Sequence, residues 1–247
     1  QYGKEAGQKL KYLADKGKKI WVTSSSQVLL SKEVLSWLVG RVSIVKLYPF
    51  SLNEFWLARS QKEFTSDILS RGVWEHAIYG GYPKVVLTGG LELKKTILQD
   101  LRETMILKDV ARAFSIDDLT KLELFSKYMA HLIGGIVVPS RIASELSLSF
   151  QTVNKYLNAL EKSYLISLVP PFYTNKVKEV TKNLKVYFVD TGLRNAVAGE
   201  FPIALITKEN YLKTTCSLSC LKPAFLLNTG ARKLVQKLTL SSNRIII

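Results

Sequence analysis

Apolar residues recur at helical spacing along much of the chain, and this periodicity predicts a protein rich in amphipathic helices. The longest such segment runs from Leu91 to Phe114. Ser51 and Glu54 have the spacing of a capping box, which predicts a helix from Leu52 to about Arg59. Further helices are predicted over residues 1–17, 32–39, 72–79, 117–132, 140–146 and 151–162.

Short apolar runs predict a small number of strands between these helices. Residues 20–22 are typical of a buried strand, and residues 41–47 predict another. Two more strands are predicted over residues 165–169 and 185–189, on either side of a lysine-rich loop. From residue 201 onward the leucines follow neither a helical nor a strand period, so this tail is expected to be irregular.

The strongest local pattern is a helix-turn-helix between Ser140 and Lys162. The strand, loop and strand that follow would form a wing. In a DNA-binding protein of this kind, residues at the head of the second helix face base edges and phosphates, and lysines of the wing contact a polyanion. The residues in these positions are Gln151, Thr152, Asn154, Lys155, Lys176 and Lys178. The alternative is a winged helix used only for packing or for docking a protein, because a fold does not determine a function.

Composition and charge narrow the class of partner. The chain has 247 residues, of which 47% are hydrophobic, and its 35 basic against 20 acidic residues give a net charge of +15. Such a charge favours DNA or another polyanion as partner. No apolar run reaches the roughly 20 residues of a membrane-spanning helix, so no membrane partner is expected. The two cysteines cannot form a disulfide framework, which favours the cytoplasm.

Several enzyme signatures are missing or have a simpler explanation. The sequence contains no G-x-x-x-x-G-K-[ST] loop and no G-x-G-x-x-G turn, and His76 and His131 lack the neighbours of a metal site. Asp190 lies in a D-T-G triplet like that of an aspartic protease, but the favoured interpretation is a strand end at which Asp190 caps a helix.

Short motifs in a fixed order resemble a family of prokaryotic AAA-type ATP-binding proteins. The matching stretches lie at residues 20–26, 38–42, 47–55, 79–83 and 185–193, together with the helix-turn-helix. The resemblance implies a P-loop ATPase core, then a winged helix, then a nuclease-like C-terminal region. It therefore implies a fold made of an α/β remnant of a P-loop core, a helical lid and a winged-helix domain. The implied boundaries are 1–52 for the core remnant, 53–133 for the lid, 134–200 for the winged helix and 201–247 for an unassigned tail.

The resemblance also implies nucleotide chemistry in the parent family. ATP and Mg²⁺ would be its cofactors, with Thr23 as a sensor-like residue and Arg41 as an arginine-finger-like residue. The alternatives are that Thr23 lies in a stretch that caps the next helix and that Arg41 is solvated or salt-bridged. Gln1 resembles the last residue of the family's acidic Walker B motif, so the phosphate loop and the magnesium-binding acids are expected to be absent from this chain.

These observations predict a fragment of an AAA-type ATP-binding protein that carries a winged-helix module and is itself unable to hydrolyse ATP. The tail, which has a single acidic residue, lacks the family's C-terminal motifs and is interpreted as a frameshifted sequence. A homo-oligomer or a complementary ATPase fragment is a further expected partner. The alternative function is a winged-helix DNA-binding regulator without nucleotide chemistry.

Overall fold

The computed structural model describes residues 6–24, 35–59, 65–170, 183–201 and 245–246. The chain divides into two compact units, Gln1–Tyr48 with Cys220–Ile247 and Pro49–Ser219. Helices prevail in the described residues, whose strands form two small sheets. A mixed fold of helices and strands, as the sequence pattern predicts, is therefore observed.

The described elements follow one another in a simple order. The helices are α1 (Ala6–Asp15), α2 (Leu52–Ala58), α3 (Ser66–Tyr79), α4 (Pro83–Leu87), α5 (Leu91–Arg102), α6 (Ala111–Phe114), α7 (Leu119–His131), α8 (Pro139–Glu145), α9 (Phe150–Lys162) and α10 (Thr191–Ala198). The strands are β1 (Val42–Ser43), β2 (Ile166–Val169), β3 (Lys185–Phe188) and β4 (Ile245–Ile246). A 3₁₀ turn covers Leu35–Trp37, and a π-helical segment, Glu103–Val110, connects α5 to α6.

The first unit has a small apolar core around Ala14 of α1 and the fully buried Leu38. Ile20 and Val22 pack against this core, whereas Trp21 between them is 55% exposed. Residues 20–22, which the sequence predicts as a buried strand, therefore have one side against the core and the other side exposed.

The sheet of the first unit is smaller than the sequence predicts. Of residues 41–47, only β1 is a strand, and it pairs in parallel with β4, with Val42 opposite Ile245. The tail expected to be irregular thus contributes a short strand, because its terminal isoleucines favour extended backbone. The rest of the tail, residues 202–244, lies outside the described residues.

Two clusters of buried apolar side chains hold the second unit together. The larger one joins the π-helical segment, α7, α8, α9, β2 and β3, with Phe125 and Leu160 among its buried members. The smaller one joins α3, α4 and α5. Helix α10 belongs to both, because Leu193 packs in the larger cluster and Ala196 in the smaller one. This helix therefore connects the two halves of the core.

Helix starts in the second unit agree with the capping signals in the sequence. Ser51 and Glu54 form the predicted capping box at the start of α2, and Asp118 accepts a hydrogen bond from the backbone N–H of Lys121 at the start of α7 (2.9 Å). The long helix predicted over residues 91–114 is continuous but contains the π-helical segment. Among the described helices, none has both the length and the apolarity needed to cross a membrane.

A charge cluster fastens α2, α3 and α5 to one another. The Glu75 carboxylate accepts hydrogen bonds from both terminal nitrogens of Arg59 and pairs with Lys94 Nζ at 3.1 Å. Lys94 is 3% exposed and also donates to the carbonyl oxygen of Val85 (2.5 Å). Burial lowers the pKa of Lys94. Burial alone would raise the pKa of Glu75, but the hydrogen bonds from Arg59 and Lys94 lower it below its ordinary value.

Candidate nucleic-acid interface

Helices α8 and α9 are joined by a short turn, residues 146–149, and pack against α7. Ser149 begins α9, since its hydroxyl oxygen accepts a hydrogen bond from the backbone N–H of Thr152 (3.0 Å). One face of α9 is buried through Val153, Tyr156 and Leu160, and the ring of Tyr156 meets that of Phe125 edge to face at 5.5 Å. The buried face fixes which residues of α9 point outward.

An antiparallel strand pair follows α9 directly. Strands β2 and β3 pair with Ile166 opposite Phe188 and Val169 opposite Lys185. Ile136, which precedes α8, forms an antiparallel bridge to Lys185 and extends this sheet on the other side of β3. The predicted site residues Lys176 and Lys178 lie between β2 and β3 in the sequence and outside the described residues.

The outward face of α9 forms a continuous polar stripe. Gln151, Asn154, Lys155 and Asn158 are all exposed, and their spacing places them on one side of the helix. We call these four residues the α9 stripe. Three of them were predicted as site residues from the sequence. Asn158 was missed because the prediction considered only the head of the helix, although its spacing from Asn154 could have identified it.

Two of the predicted site residues have partners within the protein. Thr152 is half-buried and takes part in the cap, with its hydroxyl 2.8 Å from that of Ser149. Lys155 Nζ donates a hydrogen bond to the carbonyl oxygen of Ser115 (2.8 Å). The side-chain amides of Gln151, Asn154 and Asn158, by contrast, form no hydrogen bond to another residue that the structure describes.

A groove of about 380 Å³ lies between α9 and the strand pair. Asn154 and Asn158 line it from the helix, and Asn183 lines it from the residues just before β3. Its remaining walls come from the start of α8, the end of α9 and the strand pair, through Val137, Pro139, Leu157, Glu161, Leu168 and Leu184. The groove is therefore lined by three side-chain amides, two from the α9 stripe and one from Asn183.

A buried carboxylate lies at the start of α10, away from the α9 stripe. Asp190 is 2% exposed, and its two oxygens accept hydrogen bonds from the backbone N–H groups of Gly81 (2.7 Å) and Leu193 (2.8 Å). The favoured interpretation of the D-T-G triplet is confirmed, because Asp190 caps α10. A carboxylate so enclosed cannot meet a protease substrate.

The same segment binds the end of α3 at several points. Thr191 Oγ1 donates to the carbonyl oxygen of His76 (3.1 Å), and Asn195 Nδ2 donates to that of Ile78 (2.9 Å). Gly80 has a φ of +73°, and a Cβ there would come within 2.1 Å of Asp190 Oδ1. We call this contact between residues 76–81 and 190–195 the α3–α10 junction. The motifs at residues 79–83 and 185–193 are recognisable separately in the sequence, but no local pattern indicates that they contact each other.

The electrostatics of the α3–α10 junction are dominated by burial. Burial raises the pKa of Asp190 to about 6, although the hydrogen bonds from the backbone N–H groups of Gly81, Leu193 and Gly192 oppose the shift. Burial also raises the pKa of the neighbouring Tyr82, and the negative charge of Asp190 adds to this effect. The junction is therefore a structural site whose stability depends on pH.

The two residues proposed to sense nucleotide lie in the first unit. Thr23 is exposed. Arg41 Nε forms an ion pair with Asp15 Oδ1 at 2.8 Å, with both side chains nearly half exposed. The salt-bridged alternative therefore describes the present state of Arg41, and a role toward a phosphate would require it to leave Asp15.

The described residues contain no group of three or more His, Cys, Asp or Glu side chains arranged to hold a metal ion. His76 is buried, and its Nε2 lies 2.9 Å from the carbonyl oxygen of Phe50. His131 is the last residue of α7. In this part of the chain, the geometry offers a polar interface and a structural junction.

Two family models match the chain. An AAA domain matches residues 1–56, which supports kinship with AAA-type proteins in general. The family described as a domain of unknown function, DUF8612, matches residues 70–203, more than half of the chain, and the chain belongs to this family. That match includes both sides of the α3–α10 junction and the whole of α9.

Two relatives are similar over a large part of the chain. An uncharacterized protein of Haemophilus influenzae is 31% identical over 186 residues, which are 73% of this chain and 46% of the relative. An uncharacterized protein of Methanocaldococcus jannaschii is 28% identical over 189 residues, 72% of this chain and 42% of the relative. The chain thus spans less than half the length of these curated relatives. No solved structure gives a significant match.

Proposed function

We propose that this chain is part of an AAA-type ATP-binding protein and that residues 134–200 are a winged helix that binds duplex DNA. The observation that carries the proposal is the exposed polar α9 stripe, on the second helix of a helix-turn-helix that precedes an antiparallel strand pair. The AAA-domain match of residues 1–56 supports the first part of the proposal. In the whole protein, ATP would reposition this module against its partner.

The shape of the module and the charge of the whole chain suit a nucleic acid. A single helix fits the major groove of B-DNA, and the second helix of such a pair presents its outer side chains to base edges. The net charge of +15 supplies the long-range attraction to phosphates. Lys176 and Lys178 of the wing loop are proposed as phosphate contacts.

The nucleotide chemistry is proposed for the whole AAA-type protein. Among the described residues, Thr23 offers a hydroxyl and Arg41 a guanidinium, but Arg41 is paired with Asp15, so these groups do not form a nucleotide site by themselves. ATP and Mg²⁺ would be held by residues outside this chain, in a longer protein or a complementary fragment. We therefore expect no ATP hydrolysis by this polypeptide when it is purified without such a partner.

Fluorescence anisotropy with a short labelled duplex tests DNA binding. We expect the affinity to fall at least about tenfold between about 50 and about 200 mM salt, because released counterions drive the binding. Gln151→Glu should weaken binding further, since it places a negative charge in the α9 stripe. The matched control is Gln99→Glu, because Gln99 is also an exposed glutamine, on α5. Equal effects of the two substitutions would contradict binding through α9.

A thermal shift experiment with ATP and Mg²⁺ separates the proposed function from a regulator without nucleotide chemistry. A ligand that binds only the folded state raises the melting temperature. Stabilisation by ATP with Mg²⁺ supports the AAA-type assignment. The experiment is done on the chain alone and on the chain mixed with a phosphate-loop fragment of a relative. If both samples bind DNA but ATP changes the melting temperature of neither, the result would favour the regulator without nucleotide chemistry.

A further inference from the structure

The composition of the α9 stripe is unusual for a surface that binds a polyanion. Three of its four members, Gln151, Asn154 and Asn158, carry side-chain amides, and the fourth, Lys155, is bonded to Ser115. Helix α9 contains no arginine. Its exposed face is therefore suited to recognise hydrogen-bond patterns more than to neutralise charge.

Side-chain amides and guanidinium groups recognise different bases. An asparagine or glutamine amide donates to N7 and accepts from N6 of adenine in the major groove, whereas the commonest guanine contact is made by arginine or lysine. We propose that α9 reads A·T base pairs, with Asn154 and Asn158 as the adenine-binding residues. This inference rests on the proposed DNA binding and adds the class of sequence that is bound.

The position of Phe150 supports the same base preference. This residue opens α9 and is 55% exposed, although phenylalanine is normally buried. An exposed apolar ring at the head of such a helix can contact the methyl group of thymine, which only A·T pairs carry. The amides and the ring thus both favour A·T over G·C pairs.

The rigidity of α9 makes its face suitable for specific readout. Val153 and Ala159 are fully buried on the opposite side, and Ser149 fixes the start of the helix. Asn154 and Asn158 also line the groove that contains Asn183, so their amides lie at the border of a concave surface. A helix that is already fixed in place loses little conformational entropy on binding.

The test compares two duplexes of equal length, one rich in A·T and one rich in G·C pairs, at the same salt concentration. We expect the full chain to bind the A·T duplex at least about fivefold more tightly, the smallest effect of one amide–adenine contact. Replacing adenine by 7-deazaadenine removes the N7 acceptor and leaves the protein unchanged, so it should abolish most of the preference. The double substitution Asn154→Ala and Asn158→Ala should remove most of the preference, although Phe150 and Gln151 remain, whereas the control Gln99→Ala on α5 should leave the preference unchanged.

The outcomes distinguish this inference from the proposed function. Equal affinity for the two duplexes, a G·C preference, or a preference that survives 7-deazaadenine would overturn adenine readout while leaving DNA binding intact. Failure to bind either duplex at low salt would overturn both proposals. An A·T preference that depends on N7 and on Asn154 and Asn158 would support both.

Discussion

At the scale of single residues, the α3–α10 junction shows how a few atoms fix the fold. Asp190 is enclosed because Gly80 lacks a Cβ, and its carboxylate takes the place of the missing side chain. Buried carboxylates remain stable only when hydrogen bonds replace their hydration, and here the donors are backbone N–H groups. The junction therefore depends on the identity of both residues.

Replacing Gly80 by alanine should strongly destabilise the second unit. The new Cβ would meet Asp190 Oδ1 at 2.1 Å and would also require a strained positive φ. Gly90 is the matched control, because its φ is +84° and nothing lies within 4 Å of a Cβ there. We expect Gly90→Ala to cost about 1 kcal/mol through strain and Gly80→Ala to cost about 2 kcal/mol more through the added clash. Chemical denaturation measures both, and equal costs would contradict the packing at the junction.

The pKa of Asp190 predicts how stability changes with pH. Its folded-state pKa of about 6 exceeds the ordinary value of 3.8, so the folded state binds more protons between these two values. The contribution of Asp190 to the free energy of unfolding is therefore present at low pH and is lost as pH rises toward 6. We expect a loss of up to about 3 kcal/mol across this window.

The difference between the wild type and Asp190→Asn isolates this contribution. Glu75 and other carboxylates with lowered pKa act in the opposite direction, and their effects cancel in the comparison. The stability advantage of the wild type over Asp190→Asn should shrink between pH 4 and pH 6, the range between the ordinary pKa of 3.8 and the folded-state pKa of about 6. An advantage that grows over this range would show that the folded-state pKa is lowered.

At the scale of elements, the capping box of Ser51 and Glu54 is present as the sequence predicted, because a cap is a contact between residues that are close in the chain. Asp118 and Ser149 cap α7 and α9, two helices that the sequence predicted. The π-helical segment inside residues 91–114 was not predicted. Its apolar residues keep a near-helical spacing, so the periodicity alone does not distinguish it from an α-helix.

The charge cluster of α2, α3 and α5 gives an element-scale prediction. Glu75→Gln would leave the buried Lys94 beside Arg59 without a compensating charge, and we expect it to cost about 2 kcal/mol after allowing for the partial exposure of Glu75. Lys94→Met should be nearly neutral, because Glu75 keeps Arg59 and the apolar side chain suits the site. Thermal denaturation tests this order of effects.

A surface pair provides the control for this prediction. Glu92 and Lys95 form an ion pair on the exposed side of α5, where the Glu92 side chain is 86% exposed. Glu92→Gln should change the free energy of unfolding by less than about 0.5 kcal/mol. If Glu75→Gln were as mild as Glu92→Gln, the cluster would not fasten the three helices.

At the scale of the whole molecule, the sequence predicted the helical character, the helix-turn-helix elements and the strand pair. It did not predict the α3–α10 junction, because Gly81 and Asp190 are 109 positions apart and only the folded chain brings them together. The prediction included three residues of the α9 stripe but not Asn158. Whether Asn158 is exposed depends on which face of α9 packs against α7 and α8. The domain boundaries and the roles of Thr23 and Arg41 stay predictions.

The two units of the chain have separate apolar cores. The cluster around Ala14 and Leu38 belongs to the first unit, and the two larger clusters belong to the second. The AAA-domain match falls mainly in the first unit, and the DUF8612 match lies within the second. The proposed nucleotide chemistry and the proposed DNA binding therefore belong to different parts of the chain.

Photocrosslinking tests the central claim, contact between the α9 stripe and DNA, most directly. A benzophenone side chain would replace Gln151 in one protein and Gln99 on α5 in another, and each would be irradiated with a labelled duplex at low salt. We predict a covalent protein–DNA adduct from position 151 that disappears at high salt, and none from position 99. Retained DNA binding with no adduct from position 151, or with an equal adduct from position 99, would contradict the account.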